Sequence, residues 1–161
     1  VRPFNAYGPR CHLRGTSAEV IPRFILYLRA GRPLPVFGDG GQRRAFTWVE
    51  DLAEGIALAA GVHETFAGPY DLAFPGTPTL REVAEQLSLL VPDARLEFEM
   101  MDGRPGDIKS QYPDLRGAQQ HLGFEAKTSL GEGLPKLCAW IEQVAPNPAH
   151  VLDCEEGARN W

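Results

Sequence analysis

Apolar residues recur at helical spacing after Glu19, where Ile21, Phe24, Ile25 and Leu28 fall on one stripe, because residues three and four apart share a helix face. The pattern predicts a helix over roughly Glu19 to Ala30, with Ser17 as its cap and Gly31 as its left-handed stop. Pro22 is tolerated there, since first-turn amides have no intrahelical acceptor to lose. Next come a short apolar run, "PLPVFG", a turn, "DGGQ", and a brief extended piece, "AFTWV". A second helix is predicted in "EDLAEGIALAAG", with Leu52, Ile56 and Ala60 on its apolar face.

Further on, "PYDLAF" reads as a strand, and Thr79 and Glu82 stand in capping-box spacing ahead of a stripe of Leu80, Val83, Ala84 and Leu87. In "RLEFEM", Leu96, Phe98 and Met100 alternate with Glu97 and Glu99, the period of a strand with one wet face. A loop, "MDGRPGDIKSQY", follows. Asp114 is the expected cap of a short helix that ends near Leu122 and closes at Gly123, and Ser129 with Glu132 forms a second capping box. Pro135 lies past the first turn of that last helix and would cost about 3 kcal/mol or force a kink, so a later start is expected. Residues 145–161 show no period and are expected to be an irregular tail after one unit, 1–144. Interleaved strands and helices imply an α/β or α+β fold with helices over a small mixed sheet.

The charge balance changes the picture at one point. Sixteen basic against 21 acidic residues leave a net charge of -5, the wrong sign for gripping nucleic acid or an anionic bilayer through the overall field. An anionic ligand must therefore be held by a local cluster, and Arg43 and Arg44 stand together beside the glycine-rich turn. Cys11, Cys138 and Cys154 are odd in number and far apart, so no disulfide framework is expected and a reducing cytoplasm is. His12, His63, His121 and His150 lack ligand spacing, and no metal is expected. With no apolar run of membrane-spanning length, no membrane role is expected. The opening "VRPFN" reads as a buried strand with nothing before it, and its free edges are expected to favour self-association.

Three segments, "RPFNAYGPR", "FGDGGQRRAFTWVEDLAEGI" and "RPGDIKSQYPDLRGAQQHLGF", together resemble the C-terminal half of the extended short-chain dehydrogenase/reductase family, the NAD-dependent nucleotide-sugar epimerases and dehydratases. The resemblance spans roughly residues 1 to 142. It implies the C-terminal part of an extended Rossmann-like fold, with the dinucleotide-binding N-terminal part missing. The family's G-x-x-G-x-x-G run is absent, and the residues four after Tyr7, Tyr27, Tyr70 and Tyr112 are Cys11, Gly31, Phe74 and Arg116, so Tyr-x-x-x-Lys is absent too. In the family that lysine lowers the tyrosine's pKa so that a phenolate can take the sugar's proton as hydride leaves for NAD. No catalytic residue is therefore assigned, and the chain is not expected to turn over alone or to bind NAD or NADP tightly.

For the remaining residues the resemblance implies substrate binding. Arg44 and Arg104 would clamp the pyrophosphate of a nucleotide diphosphate sugar, using planar bidentate donors. Asn5 would contact the sugar diphosphate, Phe37 would line the base pocket, Ile21 and Pro22 would reach the nucleobase, and backbone near Phe4 would touch the nicotinamide end. Arg43 is expected to face solvent. Ala45 stands where the family usually carries an aspartate that supports the arginine, and Glu50 replaces an aspartate near the helix start. Without the resemblance, Asn5 is a turn residue, Phe37 and Trp48 are core, and Asp51 serves the helix dipole. The expected partner is a separate Rossmann half or a second copy, and the alternative is an inactive truncated product that binds sugar nucleotides or forms dimers.

Overall fold

In a computed structural model of the chain, residues 1–15, 18–62 and 69–154 are described. The expected cap Ser17, and His63, lie outside them. Among the described residues, six short strands form three parallel pairs. β1 (Arg2–Pro3) pairs with β5 (Asp71–Leu72), β2 (Ala6–Tyr7) with β4 (Thr47–Trp48), and β3 (Leu34–Phe37) with β6 (Phe98–Met101). Two bridges at Arg43, one antiparallel to Thr79 and one parallel to Ser110, make the strand set mixed.

The helices are α1 (Val20–Arg29), α2 (Val49–Ala60), α3 (Leu80–Leu90), α4 (Arg116–Leu122), α5 (Leu130–Val144) and α6 (Pro148–Asp153). α1 is buried almost throughout and packs with β3, α3, α5 and α6 in the larger core, whose centre includes Phe24, Leu34, Leu87 and Leu137. A smaller core joins α2, β5 and α4 through Leu52, Leu72, Leu122 and Phe124. This is an α/β arrangement, with helices covering short parallel ladders.

Several local expectations hold for local reasons. Both capping boxes form: Glu82 N–H donates to Thr79 Oγ1 while Thr79 N–H donates to Glu82 Oε2, and the Ser129–Glu132 pair starts α5. The turn after β3 needs glycine at Gly40, where φ is +73° and a Cβ would stand 3.0 Å from both Arg81 Cγ and Val36 Cγ1.

Other expectations are corrected. α5 starts at Leu130 and runs through Pro135, held by its capping box and by buried Leu134, Leu137 and Ile141. Residues 148–153, expected to belong to the irregular tail, form α6, with Asn147 as N-cap, Pro148 in the first turn and Val151 and Leu152 buried. Ile56 is 46% exposed, since α2 turns Asp51, Leu52 and Gly55 inward instead. Met100 is 51% exposed and meets Arg81, so the alternation of β6 does not place it in the core. One edge of β1 is already filled, because the N–H groups of Arg2 and Phe4 donate to Tyr70 and Leu72 carbonyls. The residue between them, Pro3, faces the other edge and has no N–H to offer, which blunts that edge.

Candidate functional site

Arg43 and Arg44 part company at the backbone. Arg43 knits three segments together: its N–H donates to the Lys109 carbonyl, its carbonyl accepts from Gln111 N–H, and its guanidinium donates to the Thr77 carbonyl at 2.9 Å. The expectation that its side chain simply faces solvent is corrected, since a loop carbonyl holds it. Arg44, one residue on, sends its guanidinium to Asp107 instead. There it lines a hollow of about 140 Å³ together with Asn5, Phe37 and Arg104, residues contributed by three distant segments.

The partners of these side chains are specific. Asn5 Nδ2 donates to the Ala45 carbonyl at 2.8 Å and to Gln111 Oε1 at 2.7 Å, so its amide ties the end of the first segment to the other two. Arg44 Nη1 donates to the Arg43 carbonyl at 2.9 Å, and Nη2 donates to Asp107 Oδ1 at 2.6 Å. The Arg104 guanidinium lies 3.8 Å from the centre of the Phe37 ring, in cation–π range. Gln42 Nε2 donates to the Phe37 carbonyl and approaches Asp107 Oδ2 at 3.4 Å, which joins the turn to the same loop.

Asp107 is the residue that the sequence reading passed over. Position 45 carries an alanine with no exposed surface, and Arg44 takes its carboxylate instead from a residue 63 positions away. The signal was present in the spacing of "RPGD", which puts an acid three residues after Arg104. Asp107 N–H donates to the Arg104 carbonyl, so one tight turn delivers both residues to the hollow.

The α1 contacts shift along the helix. Val20 and Phe24 line the arginine hollow, whereas Ile21 lines an adjoining hollow of about 340 Å³ that shares Asn5, Val20 and Phe46 with the first. Pro22 is buried in α1 and lines neither. Phe4 is half-buried, its N–H donates to the Leu72 carbonyl, and it lines neither hollow.

A wider hollow of about 490 Å³ lies beyond, edged by Tyr7, Arg10, Cys11, Glu19 and Glu50. Arg10 has φ of 70°, a conformation that few non-glycine residues adopt. The Tyr7 hydroxyl donates to the Ser129 carbonyl at 3.2 Å, and burial pushes its pKa well above the usual phenol value, so it stays neutral. Burial likewise pushes the Cys11 thiol up to about 12, which keeps it protonated at neutral pH. Glu50 accepts from the Trp48 indole at 3.0 Å.

Asp51 does more than face the helix dipole. It is buried in the first turn of α2, and it accepts from Lys127 N–H at 3.0 Å, Thr128 N–H at 2.7 Å and the Thr128 hydroxyl at 3.2 Å. Its carboxylate thus fastens the approach to α5. Among the described residues no group of three or more His, Cys, Asp or Glu is gathered to hold a metal, and no helix is long and apolar enough to cross a membrane.

Residues 1–71 match the model of the NAD dependent epimerase/dehydratase family. The chain is 37% identical over 137 residues to UDP-glucuronic acid decarboxylase 1 of Arabidopsis thaliana, a match that covers 84% of this chain and 30% of that protein. Among solved structures it resembles UDP-glucose 4-epimerase of Thermotoga maritima with UDP-glucose, at a TM-score of 0.79 and 26% identity, covering 89% of this chain and 45% of that one. It also resembles MoeE5 in complex with UDP-glucuronic acid and NAD, at a TM-score of 0.76 and 30% identity, covering 89% of this chain and 46% of the other. The chain thus spans less than half the length of each of these relatives.

Proposed function

This chain belongs to the NAD dependent epimerase/dehydratase family, and from that premise we propose that it is the substrate-binding part of a nucleotide-sugar-modifying enzyme, holding a nucleoside diphosphate sugar between Arg44 and Arg104. The observation that carries this reading is convergence: Asn5, Phe37, Arg44 and Arg104, drawn from three segments, line one hollow. Two guanidinium groups at one mouth suit a doubly charged phosphate bridge, because each presents a planar pair of donors to phosphate oxygens. Phe37 adds an aromatic face for a base. Asn5, tied to Ala45 and Gln111, keeps the three segments in register.

NAD belongs to this reading through the family, and MoeE5 was solved with it. The residues described here do not by themselves fit a dinucleotide. The glycine-rich turn, residues 38–41, leads into the Arg43 bridges instead of opening a helix whose N-terminus would meet a pyrophosphate. The proposed role is accordingly to bind and orient substrate, with a dinucleotide-binding half, in the same polypeptide or another, as the partner. No hydride or proton step is assigned to these residues.

Titration calorimetry with UDP-glucuronic acid and UDP tests the clamp. Arg44→Ala and Arg104→Ala are each expected to weaken binding by roughly 10- to 100-fold, the range for losing a charge-assisted hydrogen-bonding group. Equal affinity in the wild type and both variants would remove the assignment.

A further inference from the structure

The hollow between Arg44 and Arg104 measures about 140 Å³. Sites that enclose an organic ligand typically measure roughly 300–1,000 Å³, so this one is too small for the ligand that its charges suit. One loop narrows it. Arg104 covers the Phe37 ring at 3.8 Å, and Asp107 takes Arg44 Nη2 at 2.6 Å and reaches Gln42 Nε2 at 3.4 Å. A carboxylate therefore stands where a phosphate would meet Arg44, and a guanidinium stands where a base would meet Phe37.

The loop is also built to move between fixed ends. On one side β6 is held in its ladder with β3, and on the other the bonds of Arg43 to Lys109 and Gln111 anchor the chain. Between these anchors Asp102, Gly103 and residues 105–109 are exposed, and the loop lines the hollow through Arg104 and Asp107.

Resting on the nucleotide reading above, we propose that this loop is a strap that occupies its own binding site. A nucleoside diphosphate displaces Asp107 from Arg44 and draws Arg104 off Phe37 in one movement, so that phosphate capture and exposure of the aromatic face are coupled. The physical grounds are direct. Phosphate oxygens repel the Asp107 carboxylate and offer Arg44 a bidentate replacement for it. Phosphate also offers Arg104 a charge-assisted pair, which is stronger than the cation–π contact it leaves at Phe37. Pyrophosphate alone must compete with Asp107, uridine alone must compete with Arg104, and UDP meets both demands at once.

The test is calorimetry on the full chain with inorganic pyrophosphate, uridine and UDP. Asp107→Asn is expected to tighten pyrophosphate by roughly threefold or more, the scale of a lost competing ion pair. Arg104→Ala is expected to strengthen uridine by roughly two- to fivefold, as an uncovered ring face should, while weakening UDP at least about tenfold. Should the Asn variant fail to fold by circular dichroism, Asp107→Ser repeats the measurement at the same exposed position. Pyrophosphate binding that is weakened or unchanged when Asp107 is replaced would show that the carboxylate merely orients Arg44, and would overturn the strap. Uridine affinity at or below wild type in Arg104→Ala would overturn it equally. UDP binding without these opposite shifts defeats the strap and leaves the nucleotide reading standing, whereas no binding of UDP or pyrophosphate by any form defeats both.

Discussion

Asp51 and Asp107 are both carboxylates that bind across a seam between distant segments, yet their surroundings differ. Asp51 is 8% exposed and accepts three hydrogen bonds from Lys127 and Thr128. Around it the same seam is closed by the Tyr7 hydroxyl on Ser129 and by the edge-on packing of Tyr7 against Trp48 at 5.4 Å. Asp107 has a side chain 30% exposed, one ion pair with Arg44 and one long contact with Gln42. A closed network gains nothing from an incoming ligand and holds the fold together. An open pair can exchange its partner, and that is what a binding site requires.

Asp51→Ala should therefore be the most damaging change. It leaves two amides and a hydroxyl without acceptors in a buried seam, at a cost of about 3–4 kcal/mol. Urea denaturation measures this directly, and a loss under about 1 kcal/mol would mean that water replaces the carboxylate and that the seam is open after all.

Gly133→Ala probes the same seam through sterics. A Cβ at Gly133 would run into the Tyr7 ring and hydroxyl, which Trp48 prevents from retreating. Overpacking of this kind costs about 3 kcal/mol, and alanine returns about 1 kcal/mol of helix propensity, for a net loss of about 2 kcal/mol. A variant as stable as the wild type would show that the Tyr7 side has slack and would erase part of the contrast with the Asp107 side.

These two regions also mark what the chain makes legible. Capping boxes at Thr79–Glu82 and Ser129–Glu132 can be read because both partners lie within one turn. α6 has the same kind of local signature, an asparagine before a proline, but at six residues it is too short to display a period. How far the buried face of α2 is rotated could not be read, since Leu52 and Ile56 share the predicted stripe and only Phe124 and Leu72, packed against Gly55, turn it toward Asp51 and away from Ile56. Asp51 and Asp107 are silent for the same reason, for their partners lie 76 to 77 and 63 positions away. The arginines could be named as a pair only through family resemblance, and their convergence on one hollow is a product of the Arg43 bridges and the Asn5 ties.

The smallest expected effect closes the comparison. Asp107→Ala makes at the open site the same chemical change as Asp51→Ala, and it removes a contact of only 2.6 Å between well-formed charges. Distance alone would suggest a large loss. Solvent access argues otherwise, because a carboxylate 30% exposed is screened and Arg44 keeps its bond to the Arg43 carbonyl. The expected cost is below about 0.5 kcal/mol in urea denaturation, falling further as salt is raised. The opposite ordering, with Asp107→Ala more destabilising than Asp51→Ala, would make the arginine hollow a structural joint and the Asp51 seam the exchangeable one.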